Sequence, residues 1–173
     1  MAIFFFIFLT LSAGVLLELV SGSFGVIAPA ALPVVFYFSI AFGWRTGLFC
    51  ALGAGIAIDS IYGRAFPLST LLLCISSGLS IFWILREDSK KLVMNLIPAL
   101  VTGLIYMIPL CTLVLYFHGF EWRSFFLTFF RLSFGILLSL ILFPLLIIVL
   151  DSYGNSFGFP LFRDARDRLL KKF

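Results

Sequence analysis

The sequence predicts an all-α integral membrane domain of six transmembrane helices with both termini in the cytoplasm. Three observations predict it. The chain of 173 residues has a mean hydropathy of +1.20 and only 12% charged residues, about half the ~25% of an average soluble domain. Its apolar residues gather into runs too long for ordinary core helices. Its basic residues divide unevenly between the two sides that alternate crossings would create.

Residues 1–150 hold the predicted spans and 151–173 a basic cytoplasmic tail. The first span, 2–20, is interrupted by polar side chains only at Thr10, Ser12 and Glu18. It lacks the basic start of a signal peptide and exceeds a typical signal core. It therefore reads as a retained helix, although Ser21-Gly22-Ser23 is small enough for cleavage. After a Gly-rich turn, the second span covers 26–43 with Pro29 and Pro33 near its start, where backbone N–H groups lack helical partners anyway. Trp44-Arg45-Thr46 forms an interfacial break before the third span, 47–62.

The fourth span, 68–85, carries Ser76, Ser77, Gly78 and Ser80, small enough for close helix approach. The charged loop Arg86 to Lys91 follows. The fifth span, 92–117, contains Asn95, Pro98 and Pro109. At about 1.5 Å per residue it exceeds a ~30 Å hydrocarbon core, so it must tilt or kink. The sixth span, 125–150, contains Arg131 and Pro144. Trp44, Trp83 and Trp122 fall near predicted boundaries, as interfacial anchors do.

Six crossings put both termini on one side. Arg45, Arg86, Lys90, Lys91, Arg163, Arg166, Arg168, Lys171 and Lys172 share that side, against Arg64 and Arg123 opposite. This is the positive-inside pattern of a cytoplasmic face. In the tail, Phe162, Ala165, Leu169 and Phe173 recur at helical spacing. A basic amphipathic helix on the inner leaflet and a short solvated tail are both open readings.

The third span carries the most informative pattern. Gly47, Ala51, Gly55 and Asp59 recur every four residues and so share one helix face. Three small residues admit a neighbouring helix, and an acid ends the seam. The topology places Glu18, Asp59 and Arg131 at one level, toward the external side. Charges in spans are costly unless paired or wetted, at ~2.5–3.5 kcal/mol each at a span's centre. Three arrangements satisfy them: a cavity or partner groove, an internal ion pair of Arg131 with Asp59 or Glu18, and snorkelling to the interface.

Chemistry finds little support. His118 stands three residues before Glu121, with no nucleophile or oxyanion donor at a supporting spacing. Cys50, Cys74 and Cys111 lie inside apolar runs and read as packing residues. No metal-ligand spacing or nucleotide fingerprint occurs, so no cofactor is expected. The net charge of +4 comes from the chain end and one loop, and gives no nucleic-acid signal.

The stretch from Pro29 through Tyr37 and GLFCALGAGIAIDSIYG, Gly47 to Gly63, and on to Phe66-Pro67-Leu68 resembles the bacterial rod shape-determining protein family MreD. That family has a proline-led span, a break, and a glycine-rich span ending in an aspartate with a glycine beyond it. The resemblance is sharp over 29–73. It departs at Ala28, where a basic residue is common, at Ala51, where glycine is usual, and at Pro67-Leu68, where the family has a proline–glycine or leucine–glycine pair. It implies a non-enzymatic role in the bacterial inner membrane, in the rod complex that elongates peptidoglycan. The implied partners are an MreC-type scaffold, actin-like MreB and the wall polymerase and transpeptidase. The implied fold is similar to the substrate-binding components of energy-coupling-factor transporters. That similarity supplies an alternative function, vitamin capture through an outward cavity.

Overall fold

The computed structural model describes residues 2–26, 28–86, 96–118, 122–162 and 164. The described residues form six helices: α1 (Ala2–Ser23), α2 (Ala31–Ala41), α3 (Trp44–Ile61), α4 (Leu68–Arg86), α5 (Leu96–His118) and α6 (Trp122–Ser156). Three are long and apolar enough to cross a membrane: α1, α5 over Leu96–Leu113, and α6. The outward surface agrees with that solvent. Phe4, Phe8, Phe49 and Phe82 are all exposed, an apolar skin that water would not tolerate.

The helix limits differ from the predicted spans for identifiable reasons. Helix α1 continues to Ser23 because Ser21 Oγ donates to Leu17 O and Ser23 Oγ donates to Val20 O at 2.7 Å. These hydroxyls satisfy themselves on the helix rather than opening a turn. Helix α2 starts five residues later than the predicted 26, since Pro29 disfavours helical backbone at the residue before it. Trp44-Arg45-Thr46 is the first turn of α3 instead of a break; Gly43, at φ 98°, makes the break alone. Helix α6 is the largest departure. It has 35 residues, about 52 Å at helical rise, and takes in Asp151, which the sequence assigns to the tail.

Helix α2 is the centre of the bundle. All 11 of its residues, ALPVVFYFSIA, are buried, and it packs against each of the other five helices. This explains a sequence that is apolar all round. Phe36 meets Phe143 of α6 at 5.1 Å between ring centroids, and Phe38 meets Phe6 of α1 at 6.1 Å. The remaining strong pairings are the hairpins α3–α4 and α5–α6.

Two expectations need correction. Phe162 does not face a leaflet: it is fully buried and stacks on Tyr37 at 6.0 Å. The rest of the amphipathic pattern, from Ala165 to Phe173, lies outside the described residues, as do Arg163, Asn95, Glu121 and the loop from Glu87 to Lys91. Trp83 does not present its indole N–H to an interface. Its Nε1 is buried without a hydrogen-bond partner among the described residues, whereas Trp44 and Trp122 are exposed.

Candidate functional site

Two of the three helices that end in a visible carboxylate device meet at one end of the bundle. The geometry is clearest at the end of α3. Gly63 adopts φ 61°, its N–H donates to Ser60 O at 3.2 Å, and Arg64 N–H donates to Asp59 O at 3.0 Å. This is a Schellman ending, which a glycine accommodates without steric cost. It turns the chain so sharply that the Arg64 guanidinium returns to Asp59 Oδ1 at 3.2 Å.

The Asp59 carboxylate is otherwise directed at the next helix. Oδ1 accepts from Ser69 N–H at 3.1 Å, and Oδ2 accepts from Thr70 N–H and Thr70 Oγ1, each at 3.0 Å. Ser69 and Thr70 stand in the first turn of α4, whose N–H groups have no intrahelical partners. Asp59 is therefore an N-cap supplied from a neighbouring helix, and its charge lies at the positive end of the α4 dipole. Arg64 also donates to Ser69 Oγ at 2.5 Å, closing the cluster.

The small-residue face makes this contact reachable. Gly47, Ala51, Gly55 and Asp59 are all buried. A Cβ on Gly55 would stand 2.7 Å from Thr70 N and closer still to Thr70 Cα, and one on Gly47 would collide with Ser39 of α2. The two glycines thus admit different helices. Ser39 and Ser77 then bond each other at 2.8 Å between α2 and α4.

The same arrangement occurs twice more. Helix α1 ends on Gly25 at φ 75°, with Gly25 N–H donating to Gly22 O at 2.9 Å and Val26 N–H to Ser21 O at 3.0 Å. Its carboxylate, Glu18, is 5% exposed. Oε2 accepts from Ala31 N–H, the first residue of α2, at 3.2 Å, and Oε1 accepts from Tyr106 Oη at 2.5 Å. Helix α6 ends on Gly158 at φ 66°, and Asp151 Oδ1 accepts from Phe162 N–H at 2.8 Å and Tyr37 Oη at 3.0 Å. In all three, a buried acid near a glycine-terminated helix end holds the backbone of the segment that follows.

Glu18 and Arg131 are brought to one cleft of about 180 Å³, together with Gly22, Gly25, Tyr62, Arg64, Leu110 and Leu113. Arg131 is exposed there and is not the ion-pair partner of Asp59; that role belongs to Arg64. Arg64 also lies over the Tyr62 ring at 4.8 Å. Pro29 is buried just ahead of α2, and Tyr37 lies deeper on that helix, on Asp151. The sequence reading gave no role at these carboxylates to Arg64, Tyr106 or Phe162, and assigned Asp151 to the tail. The acid-to-glycine spacing before each turn was the available signal for Arg64 and Asp151, whereas Tyr106 has none in a uniformly apolar run. Among the described residues, no group of three or more His, Cys, Asp or Glu side chains is placed to hold a metal ion.

No protein-family model, curated protein or solved structure matches the chain. The fold and site define an all-helical protein with membrane-type surfaces, whose buried acids are engaged by backbone donors.

Proposed function

We propose that the chain is a six-span, non-enzymatic component of the bacterial inner membrane that helps organise peptidoglycan synthesis within the rod complex. In this reading both termini are cytoplasmic, and α1 to α6 all cross, with the short α2 shielded from lipid by its neighbours. Its partners are an MreC-type scaffold, actin-like MreB and the wall polymerase and transpeptidase. The observation that carries the reading lies within the resemblance over 29–73: Gly55, Asp59 and Gly63 belong to one packing unit around the α3–α4 turn. A carboxylate committed to two backbone N–H groups, a hydroxyl and a guanidinium has the character of a structural tie. Such a unit serves a rigid surface for assembly better than a reactive centre.

The outer cleft favours one second reading, a substrate-capture subunit of a vitamin transporter. Its volume of about 180 Å³ falls below the ~300–1,000 Å³ usual for a small-molecule site, which ranks this reading second. Depletion in a rod-shaped host, followed by microscopy and affinity purification, tests both. Widened or rounded cells and recovery of wall-synthesis proteins are expected. Normal shape with no such partner would overturn the rod-complex reading, and a vitamin co-purifying with the detergent-solubilised chain would install transport in its place.

A further inference from the structure

The cleft between α1, α5 and α6 has a chemistry that the rod-complex reading does not use. Its acid is already engaged, with each oxygen of Glu18 accepting a bond from Ala31 or Tyr106. Arg64 is tied to Asp59 and Ser69. Arg131 differs: no hydrogen bond or ion pair from its guanidinium falls among the described residues, and the side chain is exposed. It reaches across toward the α1–α2 turn, where a Cβ on Gly25 would stand 3.8 Å from Nη2. A bulkier residue at that turn would narrow the space in front of the guanidinium.

Depth gives this arginine a specific surrounding. Arg131 is nine residues into α6, so it lies about 13 Å below the helix start. Yet it shares a cleft with Gly25 and Arg64, which belong to the α1–α2 and α3–α4 turns. The α5–α6 hairpin therefore projects past those turns, and Arg131 lies at the level where the other helices end. In a bilayer, that level is the interface, where lipid phosphates reside. An unpaired cation there is stabilised by an anion, and the planar guanidinium fork matches phosphate oxygens. Helix α1 scarcely touches α6, and Leu110 and Leu113 of α5 line the cleft together with Gly25, Tyr62 and Arg131. The cleft thus sets the Arg131 guanidinium beside apolar side chains.

We propose that this cleft binds the phosphate group of a membrane lipid, with Arg131 as the cation that contacts it. The proposal depends on the chain residing in a bilayer and not on its membership of the rod complex.

Native mass spectrometry of the full chain in detergent, titrated with dioleoylphosphatidylglycerol, tests it. Diacylglycerol of the same chains and inorganic phosphate serve as separate probes. The expected result is a lipid adduct that Arg131→Gln weakens by about tenfold or more, as loss of a charge-assisted contact implies. Arg131→Lys should lose less, because it keeps the charge without the fork. Arg123→Gln, at the exposed start of α6, should bind like the unaltered chain. Equal phosphatidylglycerol binding by the unaltered chain and Arg131→Gln overturns the proposal, as does equal binding of diacylglycerol. Binding of inorganic phosphate without binding of the lipid overturns the lipid source. Should Arg131→Gln unfold, judged by its lipid-free thermal transition, the comparison rests on Arg131→Lys: undiminished binding there, with diacylglycerol bound equally, contradicts the assignment.

Discussion

Replacing Asp59 by alanine removes four interactions at once, and their chemistry sets the expected loss. Ser69 N–H and Thr70 N–H lose their acceptor in a region where Ser69 is 0% and Thr70 9% exposed. A buried donor left unsatisfied costs about 1–3 kcal/mol. Arg64 loses its carboxylate, but at 23% side-chain exposure water compensates part of that loss. The sum is about 3–5 kcal/mol for Asp59→Ala. Asp59→Asn retains one acceptor oxygen and should lose about 1–3 kcal/mol, while Thr70→Val deletes only the hydroxyl donor and should lose about 1 kcal/mol. For a domain of this size the alanine variant should melt roughly 6–20 °C lower. Thermal unfolding in one detergent gives the ranking, and amide hydrogen exchange at Ser69 and Thr70 locates the damage. An alanine variant within about 1 kcal/mol of the unaltered chain, with protection at Thr70 unchanged, would refute the cap assignment.

Three more outcomes follow from the same packing. Gly55→Leu should destabilise by more than the ~1–3 kcal/mol typical of an overpacked core, because the backbone of Thr70 cannot yield as a side chain can; accumulation of a fluorescent fusion reads this. Tyr106→Phe should cost about 1–2 kcal/mol by leaving Glu18 Oε1 without its donor, and a double-mutant cycle with Glu18→Gln should show coupling between the two. Phe162→Ala should cost about 3–5 kcal/mol and speed exchange at the Phe162 amide, since both its stacking on Tyr37 and the bond to Asp151 hold that segment against α2.

Much of the α3 seam was legible because four-residue spacing is a local property that a helix converts directly into a face. The partner of Asp59 was not. Topology supplies depth along the membrane normal, and depth alone made Arg131 as eligible as Arg64. What separates them is the turn at Gly63, which folds Arg64 back within five residues, and the lateral position of α6, which no local pattern encodes. Asp151 was misplaced for a similar reason. A charge ending an apolar run reads as the first tail residue, whereas the Tyr37 hydroxyl and the Phe162 N–H hold it buried inside α6. Helix α2 illustrates the converse limit. Its run is apolar from 26 onward, but Pro29 and Gly43 confine the helix to 11 residues, so composition overestimated its length. Tyr106 could not be singled out from its surroundings at all, since its role depends on a carboxylate 88 residues away.

The central claim, a six-crossing bundle whose α1–α2 and α3–α4 turns share one face, is tested most directly by cysteine labelling in intact cells. With Cys50, Cys74 and Cys111 replaced, single cysteines would be placed at Ser23, Ala65 and Arg123, and at Thr46 and Ser156. A membrane-impermeant maleimide should label the first three in whole cells and the last two only after lysis. Labelling of Thr46→Cys together with Ser23→Cys in intact cells would mean that α2, at 11 residues, does not carry the chain across, and would contradict the account.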